Sequence, residues 1–318
     1  MNPFLIVLIV IVALAIVFYV APTIISVLFT LRGKRANVMT AETIKGTVSE
    51  PYAEKILRDI AFFSKLAMED VTIKSSDGLK LHGKYLDAGS GRAAILVHGY
   101  HTNGMNNFAS TARVLYEEMG MSLLFVDQRA CGESEGRFTA FGLKERYDVR
   151  SWVRYLSKKP EIKSIALYGV SMGASSIAFT SDRIRSRKVK ALILDCGFES
   201  AKDQMLLRGK QLHFPAQIMY PFVRLIGKII LREDFDENTV THLAKASLPA
   251  LFIHGTADST VPFYEGENQY REYHGPKKRL FVEGAEHAVA VLSDFEKAKE
   301  TIKSFLNEYM DKEIEEDE

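Results

Sequence analysis

An α/β fold with a mostly parallel sheet is predicted by three features of this 318-residue sequence. Short, continuous apolar runs recur along residues 69–310, as expected for strands that are covered on both faces. Stretches with helical spacing of apolar residues lie between them, and this alternation is typical of parallel sheets flanked by helices. The third feature is Gly169-Val-Ser-Met-Gly173, which lies between one such run and one such helix.

The composition limits the classes of function. Hydrophobic residues make up 47% of the chain, enough for a sizeable core. The net charge of +1 creates no long-range field, so no nucleic-acid partner is expected. The two cysteines, Cys131 and Cys196, are too few for a disulfide framework and lie in no metal-binding pattern. We predict that both are small residues packed in or near the core.

Residues 4–31 contain no charged side chain, and a helix that spans a bilayer needs about 20 apolar residues. We therefore predict an N-terminal transmembrane anchor over residues 1–32, with the membrane as its partner. A cleaved signal peptide and a hairpin broken near Pro22 are the alternatives. Basic residues follow at once over 32–35, which favours a single-pass protein of the cell membrane with a cytoplasmic domain.

Residues 33–68 are predicted to form a linker and an amphipathic helix. Apolar side chains recur at helical spacing over 51–67, and Pro51 suits the first turn of a helix. This helix either lies on the membrane surface or packs against the following domain, and the second alternative is favoured.

The main domain is predicted to cover residues 69–310 and to begin with a hairpin around Ser76-Asp77-Gly78. Strands and helices then alternate. The predicted strands are 71–74, 79–86, 93–97, 122–127, 164–168, 189–195, 250–254 and 278–282; the predicted helices are 105–118, 142–157, a helix from 174, 263–273 and 289–309. The acidic tail over 311–318 is predicted to be disordered.

An insert over residues 199–247 breaks this alternation and is predicted to form a small helical cap over the site. Its apolar side chains suit core packing and an acyl-binding wall equally well. They are Met205, Leu206, Leu207, Phe214, Ile218, Met219, Tyr220, Phe222, Leu225, Ile226, Ile229 and Ile230.

Ser171 is the candidate nucleophile, because a sharp turn from strand to helix pushes the hydroxyl of its central serine clear of the sheet. Residues two positions away must then lack side chains so that the strand and the helix can approach each other. Gly169 and Gly173 meet this need. The helix that follows directs its free N–H groups and positive dipole end at the same point, where an oxyanion could form.

His287 is the candidate base. Functional groups of parallel sheets collect at the carboxyl ends of the strands, and His287 follows the last strand and opens the last helix. The other histidines fit less well. His82 lies within a strand, His213 and His242 lie in the insert, His274 precedes a strand, His101 lies in a loop, and His98 and His254 end strands ahead of the candidate acid.

Asp258 is the candidate acid, since it lies four residues beyond its strand and can reach an imidazole that arrives from the final loop. Asp195 also ends a strand between Ser171 and His287, but we expect it to fix the backbone there. Asp127 precedes the serine and is expected to hold the loop over 129–134.

These stretches together resemble the α/β-hydrolase superfamily, in the family's order and over about residues 70–310. They are His98-Gly-Tyr, Asp127-Gln-Arg-Ala-Cys-Gly-Glu-Ser134, Gly169-Val-Ser-Met-Gly173, His254-Gly-Thr-Ala-Asp-Ser-Thr-Val-Pro262 and Gly284-Ala-Glu-His287. The resemblance implies an eight-stranded sheet, with Ser171 as nucleophile, Asp258 as acid and His287 as base.

The resemblance also implies that the backbone N–H groups of Tyr100 and Met172 form the oxyanion hole. Ala130 stands where the family commonly has glycine, a mild departure in a structural loop. His-Gly-Tyr-His replaces the His-Gly-Gly-Gly of one lipase branch and argues against that branch.

The expected activity is hydrolysis of carboxylic esters through an acyl-enzyme, with a small acyl ester as substrate and no metal or organic cofactor. The apolar insert and the predicted anchor favour a lipophilic acyl group. A serine peptidase or amidase on the same scaffold is the alternative, and a non-catalytic binding protein is a third hypothesis.

Overall fold

The computed structural model describes residues 2–20, 24, 36–213 and 215–311. Its central feature is an eight-stranded sheet with the strand order β1-β2-β4-β3-β5-β6-β7-β8. The strands are β1 Glu69–Lys74, β2 Lys80–Leu86, β3 Arg92–Val97, β4 Ser122–Val126, β5 Ser164–Val170, β6 Val189–Asp195, β7 Ala250–Gly255 and β8 Lys277–Val282. Strand β2 pairs antiparallel with β1 and with β4, and all other pairs are parallel.

The helices comprise those that cover both faces of the sheet, those of the cap, and the N-terminal helix, which is exposed along its whole length. They are α1 Pro3–Ala15, α2 Ala41–Ile44, α3 Ala53–Phe63, α4 Gly104–Arg113, α5 Glu145–Ser157, α6 Met172–Ala178, α7 Ala201–Gln211, α8 Ala216–Ile230, α9 Thr239–Leu243, α10 Phe263–Glu272, α11 Ala290–Ser293 and α12 Phe295–Met310. A buried cluster fills each face, one centred on Phe108, Tyr168 and Phe305 and the other on Trp152, Phe252 and Tyr273.

All eight predicted strands are present, each with ends within two residues of the prediction. The apolar runs explain this agreement, because every residue of β4, β5 and β7 is buried. A strand that is covered on both faces needs apolar residues at successive positions, so it appears in the sequence as a continuous apolar run.

The amphipathic helix predicted over 51–67 corresponds to α3. It packs against the domain, as favoured: Ile56 and Phe63 are buried, and the Phe63 ring meets Phe125 of β4 edge to face at 5.6 Å. Asp59 on the same helix is also buried and accepts a hydrogen bond from Arg113 of α4 at 3.1 Å.

The predicted transmembrane anchor over residues 1–32 lies only in part within the described residues. Helix α1 has 13 residues, and a π-helical turn over Ile16–Val20 follows it directly. Within the part of the chain that the structure describes, no helix is both long and apolar enough to cross a membrane. The remainder of the predicted span (21–23 and 25–31), the basic residues over 32–35 and the tail over 312–318 lie outside the described residues.

The cap helices α7 to α9 join the body through buried polar contacts. The backbone N–H of Glu199 donates to the carboxylate of Glu265 on α10 at 2.7 Å. Glu265 is buried, and this burial raises its pKa to about 8. On the other side of the cap, Arg146 of α5 binds Glu233 at 3.0 Å and also binds Glu237.

Arg129 anchors the loop between β4 and α5. Its buried guanidinium binds both carboxylate oxygens of Asp148, at 2.6 and 2.7 Å, and it also reaches Asp77 in the turn between β1 and β2. Asp127 holds the same loop, as expected, by accepting the backbone N–H of Glu133 at 2.9 Å. Ala130 has a positive φ of 58°, which explains why glycine suits that position.

We expect Arg129→Met to lower the free energy of unfolding by about 3–5 kcal/mol, because it leaves the Asp148 carboxylate buried without its cation. Adding Asp148→Asn should recover part of the loss. Urea denaturation measures both changes. Arg154→Met, at an exposed position of the same helix as Asp148, is the control and should change stability by less than about 0.5 kcal/mol. A loss below about 1 kcal/mol for Arg129→Met would contradict the assigned role.

Glu265 makes stability depend on pH. Its pKa in the fold is raised above the ordinary value of 4.5, so the fold favours the neutral form. The resulting stabilisation is complete below about pH 4.5 and is lost as the pH rises through about 8. Glu265→Gln keeps an acceptor for the Glu199 N–H and cannot ionise. We expect its Tm to equal that of the wild type near pH 4.5 and to exceed it by about 3 °C or more at about pH 9.

The control for this pH series is Glu267→Gln, at an exposed position of the same helix. Its Tm difference from the wild type should stay constant across the series. Parallel Tm curves for Glu265→Gln and the wild type would refute the assignment.

Candidate active site

Ser171 occupies a strained turn between β5 and α6. Its φ of 54° and ψ of −120° lie outside the regions that serine normally adopts. A Cβ atom at Gly169 would overlap the backbone of Gly173 and Ala174, and one at Gly173 would overlap the carbonyl oxygen of Val97 on β3. Both glycines of the motif are therefore required by close backbone approach, as the sequence predicts.

The Ser171 backbone is fixed from the neighbouring strand, because its N–H donates to the carbonyl oxygen of Asp195 at 2.8 Å. Met172 then begins α6, and the N–H groups in the first turn of a helix have no acceptor within the helix. The Met172 N–H therefore lies at the positive end of α6, beside the serine.

The structure brings Ser171, Asp258 and His287 together. Nδ1 of His287 lies 2.7 Å from Oδ2 of Asp258, and Nε2 lies 3.0 Å from Oγ of Ser171. The second carboxylate oxygen of Asp258 accepts the backbone N–H groups of Thr260 and Val261, at 2.9 and 2.8 Å. The acid is thereby held in one orientation, with one oxygen on the loop and the other on the imidazole.

His254 supports this acid, a contact that the sequence did not reveal. Its Nε2 lies 2.9 Å from the carbonyl oxygen of Val261 and 3.5 Å from Oδ2 of Asp258. Burial lowers the pKa of the imidazole, so the neutral form is favoured. A Cβ atom at Gly266 would overlap the ring. His254, whose ring packs against Gly266, thus holds the loop over 258–262 in place.

The Asp195 side chain makes no hydrogen bond to the His287 imidazole, as expected for a residue that fixes a strand end. Its main contribution to the site is the carbonyl oxygen that accepts from Ser171. Burial raises the pKa of its carboxyl group to about 7, and Oδ1 has no hydrogen-bond partner among the described residues. The neutral, protonated form of the Asp195 carboxyl group is therefore favoured.

The loop after β3, which contains Gly99 and Tyr100, approaches the serine at Gly99. At the start of this loop, a Cβ atom at Gly99 would lie 3.4 Å from Cβ of Ser171, and the Gly99 N–H donates to Oδ1 of Asn107 at 2.8 Å. Buried His98 spans the loop, with Nδ1 2.7 Å from the Gly99 carbonyl oxygen and Nε2 accepting the Gln128 N–H at 3.1 Å. Burial lowers the pKa of His98, so it serves as a neutral structural group.

A large cavity opens onto Ser171 and His287 between the body and the cap. Its volume is about 780 Å³. Most of its wall is apolar, with polar side chains at a few points. The cap contributes Gln204, Met205, Leu206, Arg208, Gly209, Leu212, Ala216, Met219, Tyr220 and Val223; the body contributes Gly99, Tyr100, Thr102, Asn107, Phe141, Val170, Phe198, Thr260 and Ala288.

The apolar cap residues differ in their surroundings. Met205, Leu206, Met219 and Tyr220 line the cavity. Met205, Leu206 and Tyr220 also pack in a buried cluster with Phe198 and Phe235, so both predicted uses hold for them. Leu207, Phe222 and Ile226 are partly buried. A second set on α8 neither packs in the core nor lines the cavity but is exposed: Ile218, Leu225, Ile229 and Ile230. Phe214 lies outside the described residues.

Three side chains at the base of the site carry metal-ligand atoms within 4.8 Å of one another: Cys196, Asp258 and His287. The Asp258 and His287 atoms already pair with each other, and burial raises the pKa of the Cys196 thiol well above its usual value. A thiolate ligand is disfavoured there. The trio is better described as the buried base of the Ser171 site than as a metal centre.

Comparisons with known proteins agree with this architecture. No protein-family model matches the sequence. The uncharacterized protein YqkD of Bacillus subtilis is 28% identical over 222 residues, which cover 68% of this chain and 72% of YqkD. The Pyrococcus furiosus esterase Pf2001 has a similar structure, with a TM-score of 0.65 and 23% identity over 80% of this chain and 94% of that chain. The α/β hydrolase GrgF from Penicillium sp. sh18 aligns with a TM-score of 0.63 and 19% identity over 77% of this chain and 99% of that chain.

The strand order, the serine turn between β5 and α6, and the similarity to these solved structures lead to one conclusion. The chain has the α/β-hydrolase fold, with an eight-stranded, mostly parallel sheet flanked by helices.

Proposed function

We propose that this protein is a serine hydrolase that cleaves carboxylic esters through an acyl-enzyme. Ser171 is the nucleophile, His287 the base and Asp258 the acid. The observation that carries the proposal is the continuous series of contacts from Asp258 through His287 to Ser171, at 2.7 and 3.0 Å, beside an apolar cavity. That the Pyrococcus furiosus protein of similar structure is an esterase also supports it.

The first step is attack on the ester carbonyl. A serine hydroxyl is a weak nucleophile, so His287 removes its proton through Nε2 as the bond to the carbonyl carbon forms. This role requires the tautomer that carries its proton on Nδ1, and Asp258 selects that tautomer by accepting a hydrogen bond from the Nδ1–H group. The carboxylate then stabilises the imidazolium.

The negative charge that develops on the carbonyl oxygen needs fixed donors. We assign this role to the backbone N–H groups of Tyr100 and Met172, because Met172 begins the helix that follows Ser171 and Tyr100 follows Gly99 in the loop that approaches the serine. A donor of this kind contributes about 3 kcal/mol, because it is already oriented and needs no rearrangement during the reaction.

The remaining steps complete the acylation of Ser171 and then release the acyl group. His287 gives its proton to the alcohol oxygen as the tetrahedral intermediate collapses, and Ser171 stays acylated. A water then loses a proton to His287 and attacks the acyl carbon. The Ser171 oxygen leaves with that proton, so the free acid and the original enzyme result.

The cavity favours a lipophilic acyl or alcohol group. Its volume of about 780 Å³ lies in the range of small-molecule sites, and apolar side chains from the body and the cap form most of its wall. We assign the hydrolase domain to residues 69–310, with the insert over 199–247 as the part that forms the cap wall.

We expect Ser171→Ala to reduce kcat/KM for p-nitrophenyl esters by at least about 10⁴-fold, because no other side chain replaces the nucleophile. Asp258→Asn should cause a loss of similar size, because the amide favours the wrong tautomer of His287. Steady-state kinetics on a series of acyl lengths measures both. A fluorophosphonate probe should label the wild type and not Ser171→Ala.

The matched control is Asp195→Asn, which changes the other strand-end acid but keeps its backbone contact with Ser171. It should retain activity within about tenfold. Full activity of Ser171→Ala would refute the hydrolase proposal, and a larger loss in Asp195→Asn than in Asp258→Asn would reassign the acid. Faster cleavage of aminoacyl-nitroanilides than of esters would favour a peptidase or amidase.

A further inference from the structure

The segment over 36–49 precedes the predicted hydrolase domain in sequence but lies against the active site. It forms one wall of a second cavity, with a volume of about 240 Å³, and the first turns of α4 and His287 form other parts of that wall. The catalytic steps proposed above use no residue of this segment. We call its first four residues, 36–39, the strap.

Two asparagine side chains of α4 and its N-cap bind the backbone of the strap. Oδ1 of Asn106 accepts the backbone N–H of Met39 at 2.9 Å, and Nδ2 of Asn106 donates to the carbonyl oxygen of Asn37 at 3.0 Å. Nδ2 of Asn103 donates to the carbonyl oxygens of Ala36 and Asn37, at 3.0 and 3.3 Å. Four hydrogen bonds therefore join the strap to the start of α4.

The start of α4 also holds the loop that leads into it from β3. Oδ1 of Asn107 accepts the backbone N–H of Gly99 at 2.8 Å, and Oδ1 of Asn103 caps the helix by accepting the N–H of Asn106 at 3.0 Å. Between these two points His101 has a φ of 48°, which residues other than glycine seldom adopt unless their surroundings hold them there. The loop therefore depends on the position of the first turn of α4, to which the strap is bound.

We propose that the strap positions the oxyanion loop, residues 99–102, with Asn103 and Asn106 as the positioning residues. The loop carries the N–H of Tyr100, one of the two donors assigned to the oxyanion. A donor stabilises the transition state only when it points at the place where the charge develops, so a small displacement weakens its effect. This inference rests on the proposed function, because the donor matters only if an oxyanion forms. The functional unit then begins at residue 36, ahead of the predicted domain start.

The first test is Asn106→Leu in the full chain, which removes both hydrogen bonds of this side chain with little change in volume. With p-nitrophenyl octanoate, kcat should fall by about tenfold, less than the 10²–10³-fold loss that follows complete removal of an oxyanion donor. KM should stay within about twofold, because the lost interaction is made only in the transition state. An alkylboronic acid, which forms a tetrahedral adduct with the serine, should bind about tenfold more weakly.

Asn103→Ser separates the strap from helix capping. Serine caps a helix about as well as asparagine, so the acceptor for the Asn106 N–H remains, but its short side chain has no amide donor to reach the strap. We expect a Tm close to that of the wild type and a kcat lowered by about threefold or more. An unchanged kcat in both Asn103→Ser and Asn106→Leu would overturn the proposal, and so would a rise in KM without a fall in kcat.

The control is Thr43→Val, at an exposed position of the same segment. Its hydroxyl oxygen accepts the backbone N–H of Thr40 at 2.8 Å, so the substitution removes a hydrogen bond from within the segment. The contacts of the strap with α4 stay in place. We expect kcat and the affinity for the boronic acid to stay within about twofold of the wild type.

Hydrogen exchange separates this inference from the hydrolase proposal, because it needs no activity. Mass spectrometry should show faster amide exchange over residues 99–103 in Asn106→Leu than in the wild type, and no change there in Thr43→Val. This result in a protein that turns over no ester would reject the hydrolase and retain the strap. Ester turnover with wild-type exchange and wild-type kcat in both asparagine variants would reject the strap alone.

Discussion

The close approach of α6 to the sheet is the constraint on which the rest of the site depends. Gly173 lies so near the carbonyl oxygen of Val97 that a single added carbon would separate helix from strand. This approach stabilises Ser171 in a conformation that serine seldom adopts, since the surrounding backbone leaves no alternative. The strain directs the hydroxyl out of the sheet and aligns the first N–H groups of α6 with it.

The partners of Ser171 are positioned by a different means. Asp258 and His287 arrive on loops, where the backbone alone would permit many arrangements. Buried hydrogen bonds restrict them: one Asp258 oxygen is held by two N–H groups of its own loop, and neutral His254 ties that loop to β7 through Val261. The price of burying these polar groups is small because each has a partner. The imidazole therefore meets a carboxylate of fixed direction.

The sequence predicted the sheet and the meeting of three distant side chains, because both leave local signals. Apolar runs mark β3 to β7, and strand-end positions mark Ser171, Asp258 and His287. His254 gave no such signal, since a histidine at a strand end has many ordinary uses. Its significance depends on a loop that only the packed chain forms. The predicted transmembrane anchor has no support in the described residues, which contain no helix both long and apolar enough to cross a membrane.

The division between body and cap explains how one scaffold can keep its chemistry while its substrate changes. The reacting groups lie at the carboxyl edge of the sheet. The close approach of the α6 backbone to the sheet and buried hydrogen bonds hold them in place. Other contacts hold the cap at its margins. Arg146 pairs with Glu233, and the hydroxyl of Tyr220 donates to Asp236 at 2.6 Å. Met205 and Leu206 on α7 line the cavity and take part in neither set of contacts. Selectivity for the acyl chain can therefore change through such side chains without moving Ser171, which is the arrangement expected where binding and chemistry are supplied by separate elements.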